Sequence, residues 1–349
     1  MSTMIRIPLP DDWHVHLRDD DMLRAVVEYT ARRFRYAMVM PNLLPPITST
    51  TDATAYRDRI LAHAPDDAVD FRPVMALYCS PDIDLVDLRD GIESGVIAAV
   101  KYYPAGATTN SEAGGSSLAA FSDLFEVLAE TKTRLLVHAE STRPEVDIFA
   151  REEAFLVDEL APLCTANPEL LVTVEHVSTR AGVEFVAEHQ NTAATITPHH
   201  LARERTHLLA DGMRPDLYCK PVINSADDQR ALVTAATSGD PAFFLGTDSA
   251  PHPTTAKYGP QAKAGVFNAA YGLEVVADVF ARADALDNLA AFVSHNGCAV
   301  YDVAAPEHHI ELTAETVDVE RASTLTTAAG DRVVLFGVEE ATRWSVRPS

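Results

Sequence analysis

Apolar and polar positions alternate along this chain on two length scales. Short β-branched or apolar runs occupy residues 5–16, 37–42, 71–78, 96–103, 134–140, 170–176, 193–198 and 241–248. Between them lie longer stretches with helical spacing, at 22–33, 51–62, 118–129, 145–163, 181–189 and 226–238. Strands alternating with helices predict parallel βαβ units, and eight such units are enough to close a (β/α)8 TIM barrel. No internal repeat or low-complexity stretch interrupts the pattern. Residues 104–117 and 250–265 are rich in Gly, Ser, Thr or Pro and read as loops, either lids or plain connectors. After a further helical segment near 268–290, short strand-like runs from about residue 306 read as an appendage. The expectation is one barrel domain over 1–349, with 306–349 not independent.

Polar residues interrupt the runs at their downstream ends. The first run ends in His14-Val15-His16 and the second in Asn42. The fourth reaches Lys101, the fifth His138, the sixth His176, the seventh His199-His200 and the eighth Asp248. In a barrel of this kind the C-terminal strand ends share one face, so these groups are expected to converge. Strand side chains alternate, so His14 and His16 point the same way. They read as two ligands of one metal or as a hydrogen-bonded structural pair. Lys101 is unlike a residue of an apolar run. It reads as a lysine snorkelling at a strand end, as a Schiff-base nucleophile, or as an amine carboxylated into an anionic metal ligand. The surrounding histidines favour the last. The four imidazoles of His14, His16, His138 and His176, such a lysine and Asp248 suit two zinc ions with shared ligands, and Asp248 then doubles as general base. Arg18 reads as a surface ion pair or as a fork for a carboxylate, and Asn42 as a turn residue or a substrate contact.

Charge and cysteine content narrow the classes further. The 349 residues carry a formal net charge of -23, which argues against nucleic acid and anionic membrane surfaces as partners. Cys79, Cys164, Cys219 and Cys298 are widely spaced and form no CxxC pair, so neither a thiolate metal site nor a disulfide framework is expected. No basic-then-apolar leader opens the chain and no apolar run is long enough to span a bilayer, so a cytoplasmic protein is expected.

Several stretches carry a family resemblance. They are 10–19 (PDDWHVHLRD), 39–43 with Pro45-Pro46, Lys101 with 103–105, 107–111, 136–140, Glu175-His176, 194–198, 217–219, 245–252, 267–269 and 343–346. In these the chain resembles the shorter, bacterial-type dihydroorotases of the amidohydrolase superfamily, in register over essentially its whole length. The resemblance implies a binuclear zinc centre. His14, His16 and Asp248 would hold one ion and His138 and His176 the other. Carboxylated Lys101 and a hydroxide would bridge them. It implies substrate contacts from His16, Arg18, Asn42, His138, His252, Ala264 and the main chain of Lys220, where some relatives carry an apolar residue. Thr108 and Thr109 would ride a mobile loop. His199 stands where the family carries Gln and receives no role; His200 matches and reads as structural. The implied reaction is reversible cyclisation of N-carbamoyl-L-aspartate to (S)-dihydroorotate by a homodimer. Three alternatives stay open: a hydantoinase or dihydropyrimidinase, a Schiff-base enzyme built on Lys101, and a non-catalytic binding relative.

Overall fold

The computed structural model describes residues 4–68, 70–210, 212–315 and 320–348. After β1 (Met4–Pro8), eight strands follow in sequence and in space: β2 (Asp12–Val15), β3 (Tyr36–Val39), β4 (Arg72–Tyr78), β5 (Ile97–Tyr102), β6 (Arg134–Val137), β7 (Val172–Val174), β8 (Thr192–Ile196) and β9 (Phe243–Leu245). Each pairs in parallel with the next. The ring closes just past β9, where the Asp248 amide donates to the His14 carbonyl at 2.8 Å and the His16 amide to the Ser249 carbonyl at 3.0 Å. The fold is a (β/α)8 barrel, as the alternation predicts.

The first run differs from its expected form. Residues 5–16 are two strands, not one, because Pro8 and Pro10 have no N–H with which to continue a ladder. Between them the chain turns, and buried Asp11 receives the Arg35 guanidinium at 2.8 and 3.0 Å. β1 therefore leaves the barrel and pairs antiparallel with β10 (His309–Ala314). A two-stranded ribbon, β11 (Thr324–Thr326) and β12 (Arg332–Val334), precedes β13 (Trp344–Pro348), which completes the sheet on the other side of β10. The C-terminal segment is thus tied to the N-terminal strand.

Most predicted helices form within a few residues of their expected ends, at Asp20–Ala31, Thr50–His63, Arg180–Glu188 and Ala226–Thr237. Asp19, Ser49, Thr179 and Ser225 cap them by accepting from free amides of the first turn. The 118–129 segment opens as a 3-10 turn at Leu118–Phe121 before Ser122–Thr131. The 145–163 segment differs more. Pro144 and the Asp147 side chain, which accepts from the Phe149 amide, hold its start in turns. The helix begins at Arg151 and widens into a π-turn at Leu156–Leu160. The 268–290 segment shortens to Gly272–Arg282, the 250–265 loop contains the short helix Thr254–Lys257, and Leu85–Glu93 is a helix the pattern did not suggest.

Inside the ring, Trp13, Met38, Met40, Ala76, Ala99, Leu136, Ala193 and Phe244 form a closed apolar plug. Tyr301 floors it, stacked on Trp13 with ring centroids 4.1 Å apart. With the lower barrel filled, the candidate ligands face the lumen at its C-terminal end.

Candidate active site

At that end the strands deliver His14, His16, His138, His176 and Asp248 to the lining of one cleft of about 330 Å³, with buried Lys101 beside them. Ligand atoms of His14, His16 and Asp248 all lie within 4.8 Å of one another. Asp248 Oδ1 is 3.0 Å from His16 Nε2 and 3.4 Å from His14 Nε2. The outer nitrogens are already engaged. His14 Nδ1 meets Glu175 Oε2 at 2.5 Å, and His16 Nδ1 meets Asn42 Oδ1 at 2.9 Å. Each ring is therefore fixed with Nε2 turned towards Asp248, the arrangement that outer-sphere partners give metal-binding imidazoles. Glu175 is itself held by Thr195 Oγ1 at 2.7 Å.

Across the cleft, His138 Nδ1 and His176 Nε2 approach to 3.0 Å. Glu140 Oε2 takes the far nitrogen of His138 at 2.7 Å. The His14 and His176 rings stand 5.0 Å apart, so the two groups of histidines adjoin. Lys101 is fully buried, and its Nζ has no hydrogen-bond partner. Burial pushes its ammonium down to about 8, against the pull of the Glu175 and Asp248 carboxylates. Burial would also raise Asp248, but the adjoining His14 and His16 rings outweigh it and hold the carboxyl well below the usual range. Burial disfavours a charged His14, and the Glu175 carboxylate reverses this to leave its pKa above the ordinary value.

Backbone strain concentrates here. Arg18, His176 and Asp248 have φ of 59°, 41° and 45°, in the left-handed region that non-glycine residues rarely occupy. The kink at His176 lets two successive residues, Glu175 and His176, both serve the cleft. The kink at Asp248 does the same after Thr247, whose amide and hydroxyl are held by buried Asp12 at 2.8 and 2.6 Å.

A second cluster borders the ligand set. Arg18 Nη2 lies 3.1 Å from His252 Nε2, which lies 3.0 Å from the Ala264 carbonyl. Tyr56 Oη donates to the Arg18 carbonyl at 2.5 Å and steadies this turn. Over the opening sits the 104–117 loop. Asn42 Nδ2 donates to the Thr109 carbonyl at 2.9 Å, Asn110 Nδ2 to the Asn42 carbonyl at 3.0 Å, and Lys220 Nζ to the Ala107 carbonyl at 2.6 Å. Thr108 and Thr109 line the cleft with Lys220 and Ala264. Asn42 thus spends its side chain on His16 and the loop, and Lys220 spends its side chain on the loop.

His199 and His200 lie beside this cleft, outside its lining. Their ligand atoms and Cys219 Sγ come within 4.8 Å, but His200 gives one nitrogen to Thr197 Oγ1 at 2.9 Å and the other to the Pro221 carbonyl at 3.1 Å. Cys219 donates to the same carbonyl at 3.1 Å, which makes this a packed hydrogen-bond cluster. His199 Nδ1 meets the Asn268 amide at 3.0 Å. Reading the sequence for ligands passed over the roles of Glu140, Glu175 and Asp12. Their only signal was an acid inside an apolar run, one or two residues from a candidate ligand.

The arrangement of barrel, paired imidazoles and strand-end aspartate defines a class, and comparison agrees with it. The Amidohydrolase family model matches residues 7–305. A dihydroorotase of Synechococcus sp. (strain CC9605) is 46% identical over 347 residues, covering 99% of this chain and 97% of that protein. The crystal structure of dihydroorotase in complex with 5-fluoroorotic acid from Saccharomyces cerevisiae superposes with a TM-score of 0.90 at 30% identity, covering 99% of each chain. The L-hydantoinase (dihydropyrimidinase) of Arthrobacter aurescens shares the fold, with a TM-score of 0.76 at 17% identity over 91% of this chain and 78% of that one. The chain belongs to the amidohydrolase family and, within it, to the dihydroorotases, hydrolases of a cyclic amide. The family implies a metal cofactor, and among the described residues no helix is long and apolar enough to cross a membrane.

Proposed function

We propose that this chain interconverts N-carbamoyl-L-aspartate and (S)-dihydroorotate, a step of pyrimidine synthesis, with two zinc ions at the barrel mouth. The observation that carries this reading is the meeting of two imidazole pairs and Asp248 around the orphaned Lys101 amine, beside a corner where the Arg18 guanidinium meets a neutral His252. The residues fit the metals. His14, His16 and Asp248 would hold one ion and His138 and His176 the other. A carboxyl group on Lys101 would supply oxygens between them and give the buried amine the partners it lacks. Zinc bound there would supply Lewis acidity, activating water near neutral pH and polarising an amide carbonyl.

The remaining roles belong to the chain. Asp248, held ionised, takes the proton from water and passes it to the ring nitrogen as the ring opens; in closure it moves the proton the other way. Arg18 and His252 grip the substrate carboxylate, with His16, His138, Ala264 and the Lys220 main chain completing the site. Asn42 reaches that carboxylate by giving up the Thr109 carbonyl, so substrate contact and the Thr108–Thr109 lid are linked. The reading extends to a single-domain chain and a cytoplasmic homodimer, on the strength of the family resemblance.

Purified protein is assayed for ring opening of dihydroorotate and of dihydrouracil, with metal analysis before and after chelation. Turnover of dihydroorotate, its loss on chelation, its return with zinc and little action on dihydrouracil are expected. Activity indifferent to metal removal overturns the metal mechanism, and preference for dihydrouracil overturns the substrate.

A further inference from the structure

Lys257 is a second buried lysine, one that neither the ligand set nor the carboxylate grip explains. Its residue is 5% exposed, and it ends the short helix Thr254–Lys257 in the loop that follows His252. Among the described residues no carboxylate approaches its ammonium within 4.0 Å. It donates instead to two carbonyls, Gly265 at 2.6 Å and Tyr218 at 2.8 Å. The Gly265 amide also donates to the Tyr218 carbonyl, at 2.9 Å. Burial disfavours this ammonium, and the Asp216 carboxylate, beyond 4.0 Å, opposes that in part; the direct partners, through its two hydrogen bonds, are the two carbonyls.

The segment they hold is the wall of the grip. Gly265 has φ 148°, and a Cβ there would lie 2.5 Å from the Ala250 carbonyl oxygen and 3.0 Å from His252 Cδ2. Its backbone is therefore pressed against the His252 ring. The preceding residue, Ala264, supplies the carbonyl that meets His252 Nε2, and that nitrogen meets Arg18. Lys257 joins this segment to the 218–221 stretch that bears Lys220. Its charge also acts on His252, whose pKa it helps to lower.

We infer that Lys257 is a positioning residue for carboxylate recognition, bolting Gly265 to Tyr218 so that Ala264, His252 and Arg18 present one preformed cationic corner. This rests on the dihydroorotase reading above. The zinc-loaded protein and its Lys257→Met variant are compared for affinity towards 5-fluoroorotate and towards 5-fluorouracil, the same ring without the carboxylate, alongside kcat and KM. Loss of two charge-assisted hydrogen bonds predicts a roughly tenfold or greater rise in KM and in the 5-fluoroorotate dissociation constant. Binding of 5-fluorouracil, metal content and kcat are expected to stay near wild type. Lys257→Arg, which keeps charge and donors, is expected to recover part of the loss. Lys257→Gln serves as the test variant should the Met form fail to fold. A variant that keeps the full preference for 5-fluoroorotate overturns the inference, as does one in which kcat falls in step with both affinities. A wild-type protein that binds the two rings equally overturns the dihydroorotase reading itself.

Discussion

Asp248 carries more constraints than any other side chain in the cleft. It is buried, faces two imidazole nitrogens and sits on a left-handed backbone. Burial opposes its charge, and the His14 and His16 rings facing the carboxylate outweigh burial. A proton shuttle needs this combination of an ionised carboxylate with fixed direction. Asp248→Ala is expected to lower kcat by about 10²- to 10⁴-fold while the protein keeps part of its zinc. Near-normal turnover with full metal would remove Asp248 from the mechanism. Lys101 belongs to the same scale. As a lysine in an apolar run it stood out in the sequence, but only the fold leaves its amine without a partner among four histidines and two carboxylates.

Strand ends and barrel floor divide the work at the level of elements. The polar ends face the cleft because the lower lumen is filled by Trp13, Met38, Phe244 and their neighbours. The floor is tight where Gly297 backs onto the indole; a Cβ at Gly297 would lie 1.9 Å from Trp13 Nε1. Trp13 directly precedes His14, so the floor also steadies the ligand strand. Gly297→Ala is expected to destabilise the protein by about 1–3 kcal/mol through overpacking, read as a lower denaturant midpoint. An unchanged midpoint would mean that the floor yields. The elements also show where period-based reading stops. Prolines split the 5–16 run into strands of two different sheets, and local turns at Pro144 and Asp147 delay the helix expected from 145. Both are effects of single residues that a repeat of apolar positions does not register.

Over the whole molecule, the net charge of -23 is a field rather than a set of pairs. Its self-repulsion disfavours the compact state, and salt shortens its reach from about 10 Å at 0.1 M to about 3 Å at 1 M. Raising sodium chloride across that range is expected to raise the melting temperature of the metal-loaded protein. A falling temperature would show that attractive ion pairs, such as Arg33–Glu274, dominate instead.

The sequence by itself determined the barrel and the kinds of donor at its mouth. Both follow from local rules: alternation sets strands and helices, and strand ends of a parallel barrel share a face. It marked His14, His16, Lys101, His138, His176 and Asp248 without any long-range information. Only the tertiary structure decided which nitrogens of His14 and His16 face inward, since that depends on Glu175 and Asn42, brought in from other strands. It alone placed Asn42 and Lys220 against the 104–117 loop, and it alone turned Lys257 inward. A buried contact between residues far apart in the chain leaves no period in the sequence. It exists only once the barrel has closed.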